Sequence, residues 1–468
     1  MPVSDLPIPR SFRAELRAMV QLALPIVVVQ VGIQMMGVVD TVMVGRLTAR
    51  DLAGVALGNM YFFAVCVFGM GVLMALDPIV AQAVGARDKP AIARGMQRAF
   101  LLAVVLSILS SLLLLTAAPV MRLFRQPVDV VPIAAQYAWV MIPGLLPFYA
   151  FIVLRQALQA MHRVRPIVIT IIGANIANVW FNWVLIFGNL GFPSLGTVGA
   201  AWATSLSRAL MAGALLAICW RELRQYLLPI RHDTLAGRPI WRMLRLGAPI
   251  GAQMQLEFGV FGLVALLMGW LGTAEMAAHQ VAINLASVTF MVPLGVSAAA
   301  AVLVGQAVGR GDQVEARRAG WAALLLGGAF MLITAALMLW IPDGFAALYT
   351  TQTAVAAIAA TLIPLAGVFQ VFDGLQVVAI GVLRGVGDTR APLIINILGF
   401  WLIGLPVSLY LGFVAQRGPE GLWWGLVVGL AVVAVILLVR VRSRLARDLR
   451  RLVIDDHASD ELMAELTA

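Results

Sequence analysis

The feature that most constrains this chain is a succession of twelve long apolar blocks. They fall at approximately 18–44, 52–81, 99–120, 131–154, 166–187, 196–220, 246–270, 277–304, 319–341, 354–383, 391–412 and 421–439, with short polar stretches between them. About 20 helical residues cross roughly 30 Å of hydrocarbon at 1.5 Å per residue, so each block is long enough to span a bilayer. The chain therefore reads as an all-α polytopic membrane protein. A composition of 62% hydrophobic and 12% charged residues excludes a soluble globular class. The first block is too long for a signal-peptide core and has no persuasive cleavage site, so it is expected to stay as the first helix.

The formal charge of +10 raises nucleic acid as a partner, but topology accounts for it. Of the 33 Lys and Arg residues, 27 lie beside the N-terminal tail, the even-numbered connections and the C-terminal tail. Five (Arg46, Arg50, Arg122, Arg125 and Arg417) lie on the other side, and Arg208 is within a helix. The positive-inside bias then puts both termini in the cytoplasm, with the protein multi-pass in the inner membrane and no nucleic-acid partner. Cys66 and Cys219 each stand alone in an apolar run, and the four histidines are scattered, so neither a disulfide framework nor a metal cluster is expected.

The two halves repeat. Residues 82–88 and 306–312 agree at five of seven positions, at an offset of 224. The same offset carries Leu22, Pro25 and Ile26 onto Leu246, Pro249 and Ile250, and Gly45 and Leu47 onto Gly269 and Leu271. With six helices per repeat, two lobes are expected, related by a pseudo-two-fold along the membrane normal. The expected division is 1–220 for the first lobe, 221–245 for a basic cytoplasmic linker, 246–441 for the second lobe and 442–468 for a cytoplasmic tail.

A charge inside hydrocarbon costs about 2.5–3.5 kcal/mol even on insertion scales, so the acids within the blocks are the most informative positions. They are Asp40, Asp77, Glu257 and Asp373. Glu257 lies about 18 Å from either end of its helix and Asp373 about 16 Å from its cytoplasmic end, so the two share a depth in one half and suggest one site. Helical spacing puts Gln253 on the face of Glu257 and Gln376 on the face of Asp373. Such amides suit a protonated carboxyl or a bare cation. Asp40 lies about 9 Å below the external surface, where Asn178 and Asn182, four apart on the fifth helix, share a face that can meet it. Two structural alternatives stay open: Asp40 paired with Arg46 or Arg50, and the asparagines as interhelical bonding. Asp77, beside Pro78, is read as an interface or capping group. Pro25 and Pro249 each remove a backbone donor inside a helix, and Pro25 is the candidate gate.

The stretches LALPI, VDTVMVGRL, LMALDPIVAQAVGARD, FNWVLIFGNLGFPSLGTVGAAWAT, AAHQVAINLAS, VGQAVGRGD and VLRGVGDTRAPL, in this order across residues 20 to 440, resemble the multidrug and toxic compound extrusion (MATE) family, in its bacterial NorM-like branch. The resemblance implies a V-shaped molecule of two six-helix lobes that exports small organic cations by antiport against protons or sodium ions. It carries the family's functional positions onto Asp40, Asn178, Asn182, Glu257 and Asp373, with any sodium ion held at Glu257 and Asp373. Where several sodium-coupled relatives have Tyr one turn before the tenth-helix acid, this chain has Phe369, a departure that counts against sodium. There is no GxxxxGK phosphate loop and no nucleophile-base constellation, so neither ATP-driven transport nor an enzyme is expected, and no cofactor beyond the coupling ion. The chain is expected to work as a monomer in the lipid bilayer. A flippase for lipid-linked precursors, from the same broad superfamily, is the alternative; its pyrophosphate substrate calls for more intramembrane basic residues than Arg208 alone.

Overall fold

The computed structural model describes residues 11–230 and 232–455, and most of them are helical. The first half runs α1 (Phe12–Val44), α2 (Ala49–Leu73), α3 (Leu76–Gly85), α4 (Lys89–Leu115), α5 (Ala117–Leu123), α6 (Val131–Val140), α7 (Leu145–Ala160), α8 (Val164–Phe187) and α9 (Gly196–Leu227). The second runs α10 (Gly237–Leu271), α11 (Thr273–Arg310), α12 (Gln313–Trp340), α13 (Pro342–Tyr349), α14 (Thr353–Gly385), α15 (Arg390–Asn396), α16 (Leu405–Leu409) and α17 (Gly418–Leu445). Among the described residues, twelve spans are long and apolar enough to cross a membrane. The repeat distance reappears in the helix starts: adding 224 to Ala49 and Lys89 gives Thr273 and Gln313, where α11 and α12 begin. Both α4 and α12 are capped by an aspartate, Asp88 accepting from Ala91 N at 2.9 Å and Asp312 from Glu315 N at 2.8 Å. Each cap satisfies one of the donors that the first helical turn leaves unpaired.

Three spans are interrupted beside a proline. The second span divides at Met74, four residues before Pro78, whose ring clashes with that carbonyl in a continuous helix. Asp77 is buried in the first turn of α3, so its carboxylate faces the positive end of the helix dipole. The fourth span divides between α6 and α7 around Pro143. The eleventh passes from α15 through π-helical turns at Ile397–Gly404 and Tyr410–Val414, on either side of α16 and its Pro406.

Charged helix ends also reach beyond the apolar blocks. α9 continues to Leu227 and α10 starts at Gly237, so much of the basic stretch expected as a linker over 221–245 is helical. The connection is pinned to α4: Thr234 donates to Gln97 Oε1 at 2.7 Å, and Gln97 Nε2 donates to Tyr226 O at 3.0 Å. The expected C-terminal tail begins inside α17, and its next stretch is held rather than free. Asp455 accepts from Arg94 Nε at 2.7 Å and from Arg98 Nη1 at 2.6 Å, while Arg242 donates to Ile454 O at 3.0 Å. The rest of that tail, like the expected tail before residue 11, lies outside the described residues.

The described residues form two compact units, one holding 11–27, 85–87 and 252–452, the other 28–84, 88–251 and 453–455. α1 changes unit after Val27 and α10 after Gly251, each two residues past the helix's internal proline and again 224 apart. Within the units the helices close on small residues, as hydrocarbon-buried helices do when van der Waals contact must replace a hydrophobic drive. Gly421, Gly425 and Gly429 of α17 face Leu411, Ser408 and Gly404 so closely that a Cβ at any of them would overlap a backbone atom. Gly381 of α14 meets Ser297 of α11 in the same way, and Ser297 Oγ donates to Val377 O at 2.7 Å.

Candidate functional site

Two buried polar clusters stand out, one in each unit. In the unit containing most of the first half, Asp40 sits on α1, one turn from its C-terminal end, at 6% exposure. α8 supplies Asn178 and Asn182, both fully buried and one turn apart as their spacing predicted. Asn182 Nδ2 donates to Asp40 Oδ1 at 2.6 Å and Asn178 Nδ2 donates to the same oxygen at 3.2 Å. The second oxygen, Oδ2, accepts from Thr204 Oγ1 of α9 at 2.6 Å. The alternative pairing with Arg50 is not realised, since that side chain donates to Asp129 O at 2.7 and 2.9 Å. The basic neighbour of Asp40 is instead Arg208, one turn beyond Thr204 on α9. Sequence reasoning missed Thr204 and gave Arg208 no role; their four-residue spacing, with Arg208 the one base inside an apolar block, was the available signal.

The other unit holds the second cluster. Gln376 Nε2 of α14 donates to Glu257 Oε1 of α10 at 3.1 Å, and Gln253, one turn earlier on α10, is a second side-chain hydrogen-bond partner of Glu257. Asp373, 8% exposed, accepts no hydrogen bond from any described residue, and its electrostatic neighbour is Glu257. The two acids that depth had matched along the sequence therefore meet. Gln376, expected beside Asp373, bridges to Glu257. An aromatic wall lies one turn away on both helices. Phe261 packs edge-on against Phe369 at 6.0 Å, Phe369 against Trp423 at 5.6 Å, and Phe261 also meets Phe400. Gln370 braces α14, accepting from Thr289 at 2.6 Å and donating to Thr334 at 2.9 Å.

The clusters share one chemical property. Beside each acid lies an amide oxygen, Asn182 Oδ1 in one and Gln376 Oε1 in the other, that is buried without a hydrogen-bond partner among the described residues. A buried acceptor left unpaired costs roughly 1–3 kcal/mol, and these two lie next to carboxylates that can only accept while ionised. Both arrangements are satisfied by a positive species: a proton turns a carboxyl into a donor, and a bare cation is coordinated by carboxylate and amide oxygens together.

A profile of the family described as MatE matches the chain twice, over residues 25–184 and 249–410, so that each match opens on one of the paired prolines. The chain belongs to the MatE family. Relatives named NorM, 35–38% identical over most of the chain, put it in the bacterial NorM-like branch. This MatE protein is 37% identical over 444 residues to the probable multidrug resistance protein NorM of Mesorhizobium japonicum, covering 92% of this chain and 94% of that protein. It is 35% identical over 457 residues to the multidrug resistance protein PmpM of Pseudomonas aeruginosa, covering 96% and 95%. Among solved structures it superposes on the eukaryotic MATE transporter AtDTX14 with a TM-score of 0.85 at 24% identity, covering 93% of this chain and 99% of that one. A MATE structure in the bent conformation gives a TM-score of 0.83 at 20% identity. The fold is thus shared with solved MATE structures at 20–24% sequence identity.

Proposed function

We propose that this protein is a secondary active multidrug exporter that carries small organic cations out across the inner membrane in exchange for protons or sodium ions. The observation that carries the reading is the Glu257, Asp373 and Gln376 cluster: two carboxylates in electrostatic contact, with an unpaired amide oxygen beside them, on two helices long and apolar enough to cross a membrane. Two like charges in a low-dielectric setting repel, and one positive charge relieves them. Coupling follows when a proton or sodium ion and a cationic substrate compete for that relief. The flanking Phe261, Phe369 and Trp423 offer apolar and π surface suited to lipophilic cations. The names of the curated relatives support export of drugs as the physiological outcome. Asp40, with Asn178, Asn182 and Thr204, is the second candidate ion or substrate position.

The lobes of this exporter are taken to divide as the repeat indicates, at the connection between α9 and α10, and both termini are taken to be cytoplasmic. The test is drug efflux from cells, and from proteoliposomes under a sodium gradient alone and a proton gradient alone. Glu257→Gln and Asp373→Asn are each expected to abolish gradient-driven export while the folded protein remains in the membrane. Efflux at the wild-type rate in both variants overturns the reading.

A further inference from the structure

We infer that Arg208 is the fixed counter-charge of Asp40, and that it sets the charge of the cation which the Asp40 cluster accepts, favouring singly over doubly charged molecules. The substrate half of this inference rests on the transport reading above; the pairing half stands on the structure alone.

Arg208 is 7% exposed within a membrane-spanning helix, where an unpaired guanidinium is expensive. Its guanidinium carbon lies 4.3 Å from the ring centre of Phe62 on α2 and 4.8 Å from that of Phe148 on α7, so two π faces fix its position. Its Nη1 is buried without a hydrogen-bond partner among the described residues, so the charge is held by the rings rather than spent on a direct ion pair. The groups that face it electrostatically are Cys66, Tyr137, Tyr149 and Asp40, of which one is an acid. Conversely, Asp40 is faced by Thr204, Asn178 and Asn182 as hydrogen-bond donors and by Arg208 as its one basic neighbour. The result is an isolated pair of opposite charges whose geometry is set through α9, by Thr204 reaching Asp40 one turn from Arg208.

Charge balance then decides specificity. With Asp40 ionised and Arg208 charged, the empty cluster is neutral, and a singly charged occupant leaves it with one positive charge. A doubly charged occupant must shed a larger hydration energy, and the neutral pair supplies no net attraction to offset it. Without Arg208 the empty cluster carries one negative charge, and its attraction for a cation doubles when the cation's charge doubles.

The experiment compares binding of ethidium, singly charged, and propidium, doubly charged on the same ring system, to the purified full-length protein. Arg208→Gln is expected to shift the ratio of the two dissociation constants about tenfold towards propidium, the scale of one neighbouring charge in a buried site. Arg208→Lys, which keeps the charge, is expected to stay within about twofold of wild type. A role confined to filling the space between Phe62 and Phe148 would weaken both dyes together, so an unchanged ratio in Arg208→Gln overturns the specificity claim. Thermal unfolding tests the pairing without any transport assumption. Asp40→Asn and Arg208→Gln each leave one buried charge unmatched, so the double variant is expected to be more stable than either single one, whereas additive losses overturn the pairing. If Arg208→Gln is not recovered folded, Arg208→Met retains the stem between the rings and replaces it in both measurements. Should wild type bind neither dye, the specificity claim falls with the transport reading, and the unfolding cycle still decides the pairing.

Discussion

A hydroxyl that donates at 2.6 Å to a buried carboxylate, as Thr204 does to Asp40, contributes roughly 1.5–3 kcal/mol, about twice what a neutral hydrogen bond does. Thr204→Val keeps the branched shape and deletes the donor, so it is expected to lower unfolding stability in detergent by about that amount. Thr41→Val is the matched control: its hydroxyl reaches only Gly37 O of its own helix, at 2.8 Å on an exposed face, and its loss is expected to stay within about 0.5 kcal/mol. Equal losses in the two variants would show that Thr204 matters for its helix and not for Asp40. The contrast between Thr204 and Asn182 explains what was legible at this scale. Asn178 and Asn182 were readable because their four-residue spacing is a helical signal and because a buried acid needs donors. Thr204 was not. A threonine inside a helix usually bonds the carbonyl four residues back, as Thr204 also does to Ala200 O at 3.0 Å. Its second partner, on α1, is 164 residues away in the chain, where no local pattern points.

Among the elements, α1 is the one whose design is most easily tested. Pro25 lies inside it, the helix changes unit two residues later, and Asp40 lies four turns further along. A helix that lacks one backbone donor can vary its bend there without losing a further hydrogen bond. Pro25→Ala is therefore expected to slow transport turnover several-fold while substrate affinity in the purified protein stays within about twofold, the separation of rate from binding that a moving element gives. A wild-type turnover rate in that variant reduces Pro25 to a packing residue. The glycines of α17 make the opposite kind of prediction, about assembly. A Cβ at Gly425 would overlap Ser408 N, which is backbone and cannot step aside, so Gly425→Ala is expected to prevent recovery of folded protein. Gly213 of α9 has nothing within 4 Å, and Gly213→Ala is expected to be neutral or stabilising by up to about 1 kcal/mol through helix propensity. Size-exclusion profiles of the two variants separate the cases. The length of the apolar blocks showed that these helices exist. The breaks at Met74 and around Pro143 were less readable, because Pro78 and Pro143 interrupt their spans whereas Pro364 lies inside the continuous α14.

At the scale of the whole molecule, the sorting of 27 basic residues against five predicts that both termini face the cytoplasm. A green fluorescent protein fused at the C-terminus should fluoresce, and cysteines placed singly beside Arg46 and Arg417 should react with a membrane-impermeant maleimide added outside intact cells. Labelling beside Arg94 but not beside Arg417 would invert the assignment. The repeat that organises the helices was legible because it preserves a turn, an aspartate cap and one proline pair, Pro25 and Pro249, residues that backbone geometry demands. It does not preserve the polar clusters. Adding or subtracting 224 carries Asp40 onto Val264, Glu257 onto Ile33 and Asp373 onto Tyr149, while Asn178 and Asn182 map onto Leu402 and Pro406. One ancestral skeleton thus carries two chemistries that answer to different codons. On the transport reading, substitutions around Asp40 and Arg208 can therefore change which cations that cluster accepts without touching the positions that set the Glu257 and Asp373 cluster.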